Sequence, residues 1–407
     1  MRILYVLGFL PPYITREIEA MATREHSISV LLPEDRKNSE TADFWNGISQ
    51  YPETNSVGIR RNLKFKYLTC PLKQLAAPAF RSVRFIKTLT RSLKEREFRY
   101  FVIASDAVTG MDHPSKPDVI HAHFAQDQAH IARIMASILK VPYTVTTHAT
   151  DIFVPKCKTR LRRVLCGASR VFTISEYNLS RLAEYGLNRE NIVVSRLGLD
   201  TTELPYRKKP SSPPVAVCTA SGLVPKKGVH VLIQAMRLLQ QRRINCRLTV
   251  IGSDPDGTKL EEYRKNTTDL PVDFVGVLNS KETLDAVSAA SFFVLPCIEA
   301  ENGDKDGIPV ALIEAMGMGV PCISTRISGI PELIENDISG ILVKPESPEE
   351  LAVAMTTLLS GIELADRLGS AGRNKVIANH SPDNQADILT ANLTQIVAEN
   401  TVRKTEK

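Results

Sequence analysis

Short apolar runs that read as strands alternate with helical patterns almost from end to end of this 407-residue chain, and the alternation breaks once. Such a chain is confined to parallel sheets with helices on both faces, because a parallel pair of strands needs a crossover between them. In the first half the strand-like runs are Ile3–Leu7, Ile28–Leu32, Lys64–Leu68, Val119–His123, Tyr143–His148, Val171–Ile174 and Ile192–Arg196. The break is TTELPYRKKPSSPP, residues 201–214, polar and rich in proline as a linker is. A second set follows: Val215–Thr219, Arg247–Ile251, Val272–Val275, Phe292–Leu295, Pro321–Ser324 and Ile341–Val343. Helices such as Val229–Gln241 and Glu349–Leu359 sit between them, and a last one near Asn384–Ala398 has no strand after it. The expected fold is α/β, with two doubly wound, Rossmann-like domains facing a central cleft. The length agrees, since 407 residues exceed one ordinary core. The expected boundaries are 1–203, 204–380, and a terminal helix over 381–407. Ligands bind beyond the carboxyl ends of strands in such domains, so residues just after strands carry the functional interest.

Bulk properties narrow the class. At 43% apolar and 24% charged the composition is that of a soluble globular protein, and no apolar run reaches the roughly 18 residues of a membrane span. MRILYVLGFLPPY at the start carries one Arg, ends its apolar run at Pro11-Pro12 and reads as a buried first strand rather than a signal peptide. The seven cysteines are scattered without Cys-x-x-Cys spacing, so neither a zinc site nor a disulfide framework is indicated, and a reduced cytoplasmic compartment fits. The net charge of +6 is uneven. Residues 60–99 hold twelve Lys or Arg against Glu95 and Glu97, a local +10, so the rest of the chain stands at −4. Clustered charge of one sign concerns partners and not fold.

Residues 303–334, GDKDGIPVALIEAMGMGVPCISTRISGIPELI, concentrate the chemistry. Asp306 and Glu314 are separated by seven residues, across a Gly-Ile-Pro turn and a helix start at which Pro309 suits the first helical position. Val310 to Met316 is apolar except for Glu314, and a carboxylate in such a run needs a donor, which a ligand hydroxyl supplies. Free backbone N–H groups at a helix start favour phosphate. A sugar nucleotide meets both requirements.

The stretch resembles the acid-x7-Glu element of retaining glycosyltransferases of family 4, which have the GT-B fold. The usual Glu-Gly-Phe-Gly and Glu-Ala-Met appear here as Asp306-Gly307-Ile308-Pro309 and Glu314-Ala315-Met316, a version similar to the exopolysaccharide and surface-glycan branch. Ser221-Gly222-Leu223-Val224-Pro225-Lys226-Lys227-Gly228 resembles the family's Gly-Arg-Leu-x-x-x-Lys-Gly segment, with Gly222 in place of the Arg. Thr146-Thr147-His148-Ala149-Thr150-Asp151 resembles Thr-x-His-x-x-Asp. The resemblance implies Lys227 on the donor diphosphate, with Lys226 a candidate to replace the missing Arg. It also implies Glu314 on the ribose, Asp306 on the donor sugar, the Gly307 and Ile308 amides on phosphate and sugar, and His148 beside the reacting sugar. Gly8, Asp151 and Arg196 are the acceptor-side candidates, although Arg196 serves equally as a plain salt-bridge residue. In such a family the diphosphate itself takes the acceptor proton, and no metal is required.

Two other signals invite a metal and are set aside. Asp254-Pro255-Asp256 reads as a turn. His121 and His123 stand two apart on a strand, but no third ligand is evident from sequence. The reading is therefore a retaining hexosyltransferase of surface polysaccharide synthesis. It uses a UDP-, GDP- or ADP-sugar without cofactor or metal, on a glycan or lipid-linked glycan. A sugar-nucleotide epimerase of the same fold and a catalytically weak sugar-nucleotide-binding protein remain alternatives. The basic block places Phe80, Val83, Ile86, Leu89 and Leu93 at helical spacing among Arg81, Arg84, Lys87, Arg91 and Lys94. That pattern suits ordinary packing, or a helix on the anionic inner face of the plasma membrane. No nucleic-acid-binding fold accompanies it.

Overall fold

A computed structural model describes residues 1–24, 26–31, 83–95, 97–109, 116–208 and 214–406. The expected strand Lys64–Leu68, the start of the basic block and residues 209–213 of the proline-rich break lie outside the described residues. Two compact units emerge: unit 1 is Met1–Ile174, Leu179–Ser195 and Pro382–Lys407, and unit 2 is Ser175–Asn178 and Arg196–Ser381.

Unit 1 runs β1 (Arg2–Val6), α1 (Pro12–Ala22), β2 (Ser27–Leu31), α2 (Val83–Lys94), α3 (Phe98–Thr109), β3 (Val119–His123), α4 (Asp127–Leu139), β4 (Tyr143–Thr147), α5 (Thr150–Phe153), α6 (Lys158–Gly167), β5 (Arg170–Thr173), α7 (Tyr177–Glu184) and β6 (Ile192–Val194). The sheet order is β2-β1-β3-β4-β5-β6, and every pair is parallel. Side chains alternate across β1: Leu4 and Val6 join one buried cluster, Ile3, Tyr5 and Leu7 the other. Burial on both faces is why these strands read as continuous apolar runs. β6 ends two residues before the expected Arg196.

Unit 2 runs β7 (Val215–Thr219), α8 (Val229–Gln241), β8 (Arg247–Ile251), α9 (Thr258–Asn266), β9 (Val272–Gly276), α10 (Ser280–Ser288), β10 (Phe292–Leu295), α11 (Val310–Gly317), β11 (Cys322–Thr325), α12 (Ile330–Leu333), β12 (Ile341–Val343), α13 (Pro348–Ser360) and α14 (Ile362–Asn379). Its parallel sheet has the order β12-β11-β10-β7-β8-β9. The described part of the break is not a loose tether. Leu204 is buried, a Cβ on Gly317 would come within 2.9 Å of it, and Arg207 reaches Asp366 at 2.6 Å.

The terminal helix is longer than its sequence signal and becomes α15 (Pro382–Thr405), part of unit 1. Ala386, Leu389 and Leu393 join Ile14, Ile18 and Met21 of α1 in one apolar cluster, and Arg24 pairs with Asp387 at 2.7 Å and Asp383 at 3.3 Å. Both sheets reverse strand order once, between β1 and β3 and between β7 and β10. Chain leaving adjacent strands in opposite directions opens a crevice there.

Candidate active sites of the two units

In unit 2 the loops after β7 and β10 meet at the reversal. Ile298 N donates to Lys226 O at 2.9 Å, and a Cβ on Gly228 would lie 1.9 Å from Pro296 O. Only glycine permits that approach, and Gly228 also has φ +67°. It brings Lys226 and Lys227 onto the acids of the second loop. Lys227 Nζ lies 2.6 Å from Asp306 Oδ2; Lys226 Nζ lies 3.3 Å from Asp306 Oδ1 and 3.1 Å from Asp304. Burial would raise the Asp306 carboxyl, but the two ammonium groups outweigh it and hold it below its ordinary value. Burial likewise disfavours the Lys227 charge, and Asp306 reverses this and raises its pKa. The Cys297 thiol, 3.7 Å from Asp306, is pushed well up by burial and by that carboxylate. Lys227 is therefore held in its charged form, and both lysines are directed to one point, the Asp306 carboxylate.

Gly222 stands at φ +76°, where an L side chain is strained, and a Cβ there would sit 3.3 Å from Val224 Cγ1. The loop that lacks the family's Arg is thus shaped around glycine. α11 begins one residue later than expected: Pro309 occupies the position before its first turn, with φ −63° and ψ 126°, and no side chain caps the helix. Ile308 is buried, and Gly329 N donates to Gly307 O at 3.1 Å, which pins the turn. Glu314 is half-buried in the second turn of α11. Arg196 pairs with Glu332 at 3.4 Å, and Glu332 also accepts from the Glu176 and Tyr177 amides at 3.0 and 2.8 Å. That geometry is the salt-bridge role. Asp254 accepts from the Lys259 and Leu260 amides at 2.9 and 3.1 Å and Asp256 from the Thr258 hydroxyl at 2.9 Å, so both carboxylates cap α9.

In unit 1 the reversal carries histidines in place of lysines. His148 directly follows β4, buried, its ring stacked on Phe124 with centroids 4.1 Å apart and tilted against Tyr13 at 5.6 Å. Phe124 holds φ +65° to place its ring there. Asp151 is fully buried, and its oxygens accept from the amides of Ala125 (2.9 Å) and His148 (3.0 Å). Burial pushes its pKa up to about 6, and those amides limit the rise. Asp151 therefore holds the His148 loop in place. Gly8 borders α4, where a Cβ would come 3.1 Å from the Gln128 amide nitrogen.

A third group beside the two histidines, which sequence did not reveal, is Glu17. It projects from α1, and its carboxylate lies 3.0 Å from His123 Nε2 and 3.9 Å from His121 Nε2. Tyr5 Oη donates to it at 3.2 Å. Among the described residues Glu17, His121 and His123 form a cluster with metal-ligand spacing. Tyr13 and Glu17 are four apart on α1 and share a face, which is the signal that sequence offered. Nothing in the linear chain showed that this face meets β3. The His121 nitrogens are engaged by Thr144 Oγ1 at 2.7 Å and Thr146 Oγ1 at 3.1 Å.

Two doubly wound units with these reversals form the GT-B architecture, and the protein of Anabaena called HepE, solved with UDP-glucose, superposes with a TM-score of 0.67 at 20% identity over 97% of this chain and 100% of that one. Residues 12–203 match the description Glycosyltransferase Family 4, and residues 213–361 match Glycosyl transferases group 1. The chain belongs to glycosyltransferase family 4. The putative colanic acid biosynthesis glycosyltransferase WcaL of Escherichia coli K12 is 33% identical over 267 residues, which are 62% of this chain and 63%, less than two thirds, of that protein. The Salmonella typhimurium protein of the same name is 27% identical over 360 residues, 84% of this chain and 86% of its own.

Proposed function

We propose that this chain is a retaining hexosyltransferase that takes its sugar from a nucleoside-diphosphate sugar and delivers it to a glycan or lipid-linked glycan of a surface polysaccharide. The observation that carries the proposal is the convergence of Lys226 and Lys227 on Asp306 at the strand-order reversal of unit 2. Two lysines beside an uncapped helix start suit a diphosphate, and a departing diphosphate gains charge as the sugar leaves. Lys226 supplies the second cation in place of the Arg that Gly222 removes. Glu314 takes the ribose hydroxyls and Asp306 a sugar hydroxyl, which frees the lysines for phosphate. The Gly307 and Ile308 amides complete the donor contacts, and His148 orients the reacting sugar. The WcaL names favour polysaccharide synthesis and transfer over epimerisation.

The cytoplasmic face of a membrane suits such an acceptor. No described helix is long and apolar enough to cross a bilayer. On α2, Phe85, Thr88 and Ser92 are buried and Leu89 packs partly on the core, while Ile86 and Leu93 are each 55% exposed beside exposed Lys87, Arg91 and Lys94. Apolar and basic groups on one open face suit anionic lipid.

A thermal-shift screen against UDP, GDP, ADP and their sugars tests the donor class, since a ligand at a hundred times its Kd stabilises by about 2.7 kcal/mol. A rise with one nucleotide family is expected, and no rise with any of them contradicts the proposal. Transfer should survive EDTA; loss restored by Mg²⁺ or Mn²⁺ would refute the metal-free reading.

A further inference from the structure

Behind His148 lies a chain of buried polar groups to which the proposed chemistry gives no role. Glu17 Oε1 is 3.0 Å from His123 Nε2, and His123 Nδ1 is 3.4 Å from His148 Nε2. All three come from different parts of unit 1: α1, β3 and the residue directly after β4. From this geometry we infer that Glu17 and His123 are positioning residues that fix which nitrogen of His148 carries its proton. The inference rests on the assignment of His148 to the sugar.

A carboxylate can only accept, so the contact at 3.0 Å requires the proton on His123 Nε2. His123 is 1% exposed. A neutral imidazole protonated at Nε2 can only accept at Nδ1, and the donor at 3.4 Å is then His148 Nε2–H. In that tautomer His148 Nδ1 can accept a hydrogen bond, as from a sugar hydroxyl, and cannot donate one.

The surroundings agree. Burial alone would raise the Glu17 carboxyl, but the His123 and His121 rings and the Tyr5 hydroxyl hold it below its ordinary value. Burial drives His148 well below the usual imidazole range, with His123 and His121 adding to the effect. Tyr13, against the His148 ring, is pushed up by burial and by Asp151 and Glu17, so it stays neutral. An ion bound by Glu17, His121 and His123 is the competing use of these groups. It would have to take His121 Nε2 from Thr146 and enter a Glu17–His123 contact already at hydrogen-bond length.

The test combines nitrogen NMR of the histidines with kinetics of His148→Ala and Glu17→Gln. In the unmodified protein His123 and His148 should both appear as neutral Nε2–H tautomers. An amide at position 17 can donate as well as accept, so Glu17→Gln should mix the His148 tautomers and lower kcat by ten- to a hundredfold with little change in donor KM. A His148 Nδ1–H tautomer in the unmodified protein overturns the inference without any variant having to fold. So does one equivalent of tightly bound zinc or manganese that Glu17→Gln or His121→Asn removes. If His148→Ala is inactive while Glu17→Gln changes neither tautomer nor kcat, only this inference fails. If His148→Ala keeps full activity, the assignment of His148 beneath it fails instead.

Discussion

The two units place their chemistry at the same point of the same fold and build it from opposite materials. Unit 2 gathers charges: Lys226, Lys227, Asp304 and Asp306 sit within 3.3 Å of their partners and each side offsets the other's burial. Unit 1 gathers groups that burial keeps neutral, with His121 down to about 3 and His148 also far below its ordinary value, beside the Glu17 carboxylate. A charged cluster can exchange one partner for another and so suits an anionic ligand that arrives and departs. A neutral hydrogen-bonded chain fixes geometry and tautomer, and suits a residue that must hold still. The strand-order reversal supplies the crevice in both cases; the residues that follow the strands decide its use.

The largest effect separates the units directly. His148→Ala and Glu314→Ala should each reduce transfer by at least about a hundredfold, on the scale of losing one positioned transition-state contact. Only Glu314→Ala should also weaken nucleoside-diphosphate binding by calorimetry. Loss of binding in His148→Ala, or retention in Glu314→Ala, would break the division of labour.

A smaller effect concerns α2. Replacing Lys87, Arg91 and Lys94 with Gln removes three charges worth about 1 kcal/mol each near an anionic surface, so vesicle affinity should fall about a hundredfold at low salt. Nucleotide binding should not change. A parent protein that ignores anionic vesicles at low salt would reduce the exposed Ile86 and Leu93 to ordinary surface.

The smallest effect is a slope. His121 has a folded pKa near 3 against an ordinary 6.5, so between these values the unfolded chain binds a proton that the folded one refuses. Its contribution to stability is therefore full above about pH 6.5 and declines as pH falls, by up to about 1.4 kcal/mol per pH unit. His121→Asn should flatten the stability–pH curve by about one proton in that window. Asp306, held below its ordinary value, is ionised in both states well above that value. Asp306→Asn should leave the slope between pH 5.5 and 6.5 unchanged. Equal changes in both variants would erase the contrast between charged and neutral clusters.

Most of the fold was legible because its signals are local. Runs such as Val119–His123, Val215–Thr219 and Phe292–Leu295 carry enough apolar continuity to be placed to the residue. The Asp306–Glu314 spacing and the Lys226-Lys227-Gly228 triplet marked the unit 2 cluster for the same reason, since each lies within one loop. What escaped detection depends on elements distant in sequence. Glu17 and His123 are 106 residues apart and meet only because α1 packs on β1 and β3. The hold of Asp151 on the Ala125 amide, 26 residues away, is likewise invisible in the linear chain. The Arg196–Glu332 pair spans 136 residues. The α2 stripe left its partner open because apolar spacing on a helix names a face without saying what covers it.

The central claim is that Lys226 and Lys227 form the diphosphate site. Calorimetry with UDP and GDP on the parent protein, Lys227→Ala and the double Lys226→Ala/Lys227→Ala variant tests it most directly. A charge-assisted contact is worth about 1.5–3 kcal/mol, so the single change should weaken the binding nucleotide by about ten- to a hundredfold and the double change further, with circular dichroism unaltered. Affinity that is the same in all three folded proteins would place the phosphates elsewhere and contradict the account.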